Sequence, residues 1–264
     1  MVDYIEKIGC FEVVLDPYNG ITVSKDTVPF DITEFEKNLI NLISVLKNKK
    51  RRLIWITIDI NKSHLIPIAV KHNFEFHTCE KDYVFMVKRL VDDAIIPTAV
   101  NHTLGVGVVV INDDNEILVI KERVSRLGYK LPGGHIDNGE LISNAAARET
   151  FEETGVKVEF DSIISIGHFY PHQFDQSNLY VLCSAKPLSY EINIKDIAEI
   201  EDAKWVNVFE FLEDETVFEY NKVIINAALS KKGFYSQKLE AFKNIKKDYE
   251  LFFPKLNVTN ENLA

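Results

Sequence analysis

Cysteine is scarce in this chain. Its 264 residues hold three, Cys10, Cys79 and Cys183, far apart and without a CxxC spacing. That argues against a disulfide framework and against a thiolate zinc site, and it fits a reducing compartment. Glycine is nearly missing from the first hundred residues, where only Gly9 and Gly20 occur. No apolar run approaches the roughly 20 residues needed to span a bilayer. The opening residues lack a basic segment followed by an apolar one, so no secretory leader is expected and the expected location is cytoplasmic. Positive charge is also short: 30 Lys and Arg against 40 Asp and Glu leave a formal charge of −10. An acidic chain is a poor general binder of nucleic acid or anionic membrane, so neither partner is expected. An anionic small substrate remains compatible if a cation bridges the like charges.

What is present is an ordinary apolar fraction, 46%, enough for a buried core. The length suits two modest domains. Asp92, Asp93 and Pro97 interrupt two strand-like regions, which places domains at 1–95 and 96–215 with a helical extension at 216–264. In the first, Phe35, Leu39, Leu42 and Leu46 recur at helical spacing, and Leu53 to Ile58 reads as a buried strand. In the second, Val106 to Ile111 and Ile117 to Ile120 are strands joined by a turn cluster. A helix over Asn144 to Thr154 follows, capped by Ser143 and closed by Gly155 in the left-handed position. Further helices are expected at Val217 to Leu229 and Ser236 to Phe252. Strands and helices mix throughout, so the fold class is α+β.

One helix carries the chemistry. Glu149, Glu152 and Glu153 stand at i, i+3 and i+4 and share a face. Three carboxylates so close repel one another unless a hard divalent cation sits among them; Mg²⁺ or Mn²⁺ suits oxygen ligands. Ala145 and Ala146 are read as small side chains leaving room for a ligand, with Ala147 and Phe151 anchoring the helix. Before the helix, Gly133 and Gly134 let the backbone approach closely, and the Gly134 carbonyl is a candidate metal ligand. Glu140 and Arg148 read as an ion pair that orients the carboxylates.

These residues resemble the Nudix signature, G-x5-E-x7-R-E-U-x-E-E-x-G-U with U aliphatic. It falls on Gly134, Glu140, Arg148, Glu149, Thr150, Glu152, Glu153, Gly155 and Val156. All seven fixed letters match, a coincidence on the order of 10⁻⁹ to 10⁻⁸ per starting position at average residue usage. Thr150 occupies an aliphatic slot, a departure that removes no ligand.

The resemblance implies an α/β/α sandwich with a mixed sheet and metal-assisted attack of water on the pyrophosphate of a nucleoside diphosphate linked to another group. It implies Glu149, Glu152, Glu153 and Gly134 as metal-binding residues. Glu152, Glu153 and a downstream Glu199, assisted by Arg148, are the catalytic candidates. Glu201 competes with Glu199, and both also read as surface carboxylates. Candidate substrate contacts are Arg126 and Lys130 before the glycines and the aromatic stretch with Phe169, Tyr170 and Phe174.

Trp55, the helix ending at His72, and Asn73 to His77 are similar to the pre-Nudix domain of certain plant and animal members, whose fold resembles GNAT acetyltransferases. Those plant relatives make ADP-ribose or NADH-like dinucleotides the expected substrates. Acetyl transfer itself would need a glycine-rich loop that the first hundred residues lack. A dimerising, structural or substrate-covering role is expected for that domain, and a homodimer is one expected assembly. The rival readings are a non-catalytic sensing or regulatory module and an isopentenyl diphosphate isomerase.

Overall fold

Short runs alternating between buried and exposed residues open the chain as strands β1 (Ile5–Ile8), β2 (Phe11–Leu15) and β3 (Ile21–Val23). The computed structural model describes residues 5–125 and 128–255. Asp31 then starts α1 (Ile32–Asn48): its carboxylate accepts from the Glu34 N–H at 2.8 Å, answering one of the free donors of a helix start. Phe35, Leu39, Leu42 and Leu46 form its buried stripe. Next come β4 (Leu53–Asp59), α2 (Ile66–Lys71), β5 (Glu75–Cys79) and β6 (Tyr83–Arg89). The sheet runs β1-β2-β3-β4-β6-β5, with only β3 and β4 parallel. A parallel pair needs a long crossover, and α1 supplies it. Phe11, Val13, Ile54, Ile56 and Ile58 meet the α1 stripe in one core.

The chain divides into two compact units, Met1–Val100 and Asn101–Ala264. The cut lies a few residues beyond the 95/96 reading. Ala94 and Ile96 still pack on Leu53, Trp55 and Val87 of the first unit.

The second unit contains β7 (His102–Val110), β8 (Glu116–Glu122), β9 (Gly133–His135), α3 (Ile142–Thr154), β10 (Val158–Phe169), β11 (Ser177–Pro187), β12 (Ile200–Asn207), α4 (Val208–Glu213), α5 (Glu219–Leu229), β13 (Phe234–Ser236) and β14 (Phe252–Pro254). Six strands form a mixed sheet in the order β14-β13-β10-β11-β7-β9, in which β11 and β7 are the parallel pair. β8 and β12 form a separate antiparallel pair.

Strand alternation divides the core. Val106, Val108 and Val110, with Val181 and Cys183, face Ala145 and Ala146 of α3. Val109 and Leu182 face Phe211 of α4 and Ile224 and Ile225 of α5. Helices therefore cover both faces, the α/β/α sandwich that the resemblance implies.

Two readings are corrected. Ser143 does not cap α3: the helix starts at Ile142, and Leu141 stands at its cap without a side-chain hydrogen bond. The Ser143 N–H instead donates to the Glu250 carboxylate, at 3.2 and 3.4 Å to its two oxygens. A residue 107 positions away thus does the capping, which no local motif encodes. Residues 236–252 are not a helix. They hold one short 3₁₀ turn at Glu240–Phe242, between strands β13 and β14 that extend the sheet from β10. Among the described residues, the extension's one α-helix is α5.

Candidate active site

Gly133 shows why the loop before α3 needs glycine. Its φ is +149°, and a Cβ there would lie 2.1 Å from the Val106 carbonyl oxygen. The close approach lets its N–H donate to Glu153 Oε2 at 2.7 Å. Gly134 answers a different need: a Cβ would meet the Glu149 carboxylate at 2.7 Å. At the far end of α3, Gly155 takes the left-handed conformation, φ +78°, as expected.

The inward face of α3 differs from the sequence reading. Ala145 and Ala146 are fully buried core residues and leave no room for a ligand. Ala147 is partly buried and packs against that core, as expected, while Phe151 is partly buried and lies outside it. Thr150 and Thr154 lie on the buried stripe, and Glu153 lies there too, 4% exposed. Spacing placed the three glutamates together but did not say which edge of their arc turned inward.

Burial pushes the Glu153 carboxyl up to about 8, opposed by the Gly133 N–H and Lys130 and reinforced by the charges of Glu149 and Glu199. Burial also raises the Glu149 carboxyl, against the pull of Arg148. Glu152 is exposed and stands on the Arg148 side.

Arg148 uses all five guanidinium N–H donors. Nε donates to Glu140 Oε1 at 2.8 Å, and Nη2 to Glu140 Oε2 at 2.8 Å and to the His135 carbonyl at 2.9 Å. Nη1 donates to Glu149 at 2.9 Å and Glu152 at 3.0 Å. These bonds include the orienting ion pair with Glu140 that the sequence suggested. All five donors are taken, and the one fork holds Glu140, Glu149 and Glu152 together. Glu140 is held below the usual carboxylate range by the same contact.

Glu199 and Glu201 separate cleanly. One oxygen each from Glu122, Glu153 and Glu199 lie within 4.8 Å of one another. Glu201 turns the other way and pairs with Lys121 at 2.9 Å. The β8–β12 ladder, with Ile200 opposite Glu122, places Glu199 beside the end of β8.

Glu122 is the residue that sequence reasoning missed. It looks like an ordinary strand-end carboxylate, and only the long-range register brings it to Glu153. Lys130, expected at phosphate, ion-pairs with Glu122. The donor set is made of carboxylate oxygens, one buried and none spaced for a soft metal, which fits a hard divalent cation.

Of the expected aromatics, Phe169 is 42% exposed, its ring edge-on to Tyr220 at 6.2 Å. Tyr170 and Phe174 are 67% and 94% exposed. No described ring contact joins the three to one another. Arg126 lies outside the described residues. Arg123 donates to the Ile197 carbonyl at 2.8 Å. Among the histidines, His72 meets Glu36, His77 the Pro97 carbonyl and His64 the Phe30 carbonyl, while His102 stacks on His168.

Comparison with known proteins extends along both units. Residues 11–90 match a model described as a Nudix hydrolase domain, and residues 101–226 one described as a NUDIX domain. Nudix hydrolase 8 of Arabidopsis thaliana is 35% identical over 76% of this chain, which spans 56% of that protein's length. Nudix hydrolase 2 of the same plant is 34% identical, over 78% of this chain and 76% of its own. Nucleoside diphosphate-linked moiety X motif 6 of Xenopus laevis is 35% identical, over 66% of this chain and 80% of its own. Among the described residues, no helix is long and apolar enough to cross a membrane.

Proposed function

Because the chain belongs to the Nudix hydrolase family, we propose that it hydrolyses the pyrophosphate of a nucleoside diphosphate linked to another group, ADP-ribose or an NADH-like dinucleotide, with Mg²⁺ or Mn²⁺ and in the cytoplasm. The observation that carries this reading is the convergence of Glu122, Glu153 and Glu199 within 4.8 Å. A divalent cation there would offset the repulsion among these carboxylates and draw in phosphate oxygens.

Glu149, Glu153, Glu152 and the Gly134 carbonyl are the proposed metal-binding groups. When bound, the cation neutralises charge on the phosphate oxygens and acidifies water. Gly133 fixes Glu153 through its N–H, and Arg148 fixes Glu149 and Glu152. Glu199 makes no ion pair among the described residues, and we assign it the proton of the attacking water. The water oxygen bonds to one phosphorus, the bridging P–O bond breaks, and the leaving phosphate keeps the bridging oxygen. Arg126 and Lys130 would hold phosphate, while Phe169, Tyr170 and Phe174 offer exposed ring faces to a base.

A panel of ADP-ribose, NADH, NAD, coenzyme A, diadenosine polyphosphates and nucleoside triphosphates, with Mg²⁺ or Mn²⁺, tests the reading. Turnover of a member to two phosphate monoesters, lost in Glu153→Gln, is expected. Binding without turnover of any member would instead make the protein a sensing module. For the first unit we propose a structural, dimerising or substrate-covering role on a GNAT-like scaffold, without acetyl transfer.

A further inference from the structure

The second unit has a second concave site, at the other end of its sheet from the carboxylates. It is a cavity of about 720 Å³, within the range of small-molecule sites. It lies between the β7–β8 turn, the Lys186 end of β11 and the C-terminal end of α5. β8 starts beside it and ends at Glu122, and six residue steps at strand rise separate the two by roughly 20 Å.

Its charge runs against that of the chain. Four lysines, Lys186, Lys231, Lys232 and Lys255, line it against two aspartates, Asp113 and Asp161. Asp161 is already engaged, accepting from Ser162 Oγ at 3.1 Å and lying 3.9 Å from Lys186. Lys255 sits 4.5 Å above the Tyr235 ring. Among the described residues Lys231 and Lys232 make no ion pair. The carbonyls at the end of α5 account for a cation nearby. They do not account for Lys186 of β11 and Lys255, just past β14, which reach the same cavity. The floor is apolar, with Ile111, Ile164, Ala185 and Ala228.

We propose that this cavity binds a small organic phosphate: lysine ammonium groups take the phosphate, and the apolar floor takes the ring it carries. The proposal is independent of the hydrolase reading and of the carboxylate cluster. α5, β10 and β11 contribute to this cavity and also carry Tyr220, Phe169 and Tyr180 toward the other end of the sheet.

The test is calorimetric titration of the metal-free full chain, in chelator and low salt, with AMP, adenosine and inorganic pyrophosphate as probes. Without a cation the carboxylate cluster repels all the anionic probes. AMP is expected to bind at least tenfold tighter than adenosine or pyrophosphate, with hydrogen-exchange protection at residues 184–187 and 228–235. Lys231→Glu/Lys232→Glu is expected to weaken AMP at least tenfold and to leave the protein's thermal midpoint in place. Lys231→Ala/Lys232→Ala serves if the charge reversal perturbs folding. Glu199→Gln is expected to leave AMP binding unchanged. Absence of AMP binding, AMP binding indifferent to both lysine variants, or pyrophosphate binding as tight as AMP would overturn the proposal.

Discussion

Glu153 is a carboxyl group held where a charge is costly. In the metal-free protein it keeps its proton up to about 8, against an ordinary value of 4.5. Across that window the native state binds a proton that the unfolded chain has released, so stability falls as pH rises. The thermal midpoint of the metal-free protein should therefore drop between pH 4.5 and 8. Glu153→Gln keeps an acceptor for the Gly133 N–H and should flatten that slope. Arg148→Lys keeps the charge but loses the planar fork that reaches Glu140, Glu149 and Glu152 together. It should lower kcat by ten- to a hundredfold, the cost typical of supporting contacts around a metal site. Steady-state kinetics with metal titration checks it, and recovery of kcat at saturating metal would assign the loss to metal affinity alone. At this scale the sequence was most readable: the signature letters named Glu149, Glu152, Glu153, Arg148 and Glu140 correctly as neighbours. Glu122 stayed hidden because nothing local distinguishes a strand-end glutamate that faces solvent from one that faces Glu153.

Elements built from local pattern were legible, and those built from distant pairing were not. The α1 stripe and the β4 run follow directly from apolar spacing. The stretch 236–252 carries apolar residues at spacings compatible with a helix, yet Phe234 pairs with Ile163 and Phe252 packs its ring against Phe160 at 5.6 Å. Strand addition is a nonlocal gain that periodicity does not contain. The same segment supplies the cap of α3 through Glu250. Glu250→Ala should remove that acceptor and lower stability by about 1 kcal/mol, as for other N-terminal caps. Denaturant unfolding measures it, and an unchanged midpoint would show that water replaces the carboxylate.

At the scale of the whole molecule, each unit has its own core. Leu39 is fully buried in the α1 stripe. Leu39→Ala should cost about 2–5 kcal/mol, felt as faster hydrogen exchange through residues 5–100 with little change in residues 101–255. Equal acceleration in both would mean the units unfold together. The position of the boundary was less legible than its existence, because Ala94 and Ile96 pack on Trp55 and Leu53 although the surrounding residues look like a linker.

Thr150 stands in the slot where the family pattern asks for an aliphatic residue, yet it is completely buried. Its hydroxyl donates to the Ala146 carbonyl at 2.7 Å, and the Thr154 hydroxyl bonds to the Thr150 carbonyl in the same way. Folded back on its own helix, the hydroxyl is invisible to the surrounding core, which meets only a methyl group and a branched Cβ. Thr150 thus fills an aliphatic slot without leaving an unpaired polar atom in the core, and Thr150→Val should change stability little, which denaturant unfolding would measure.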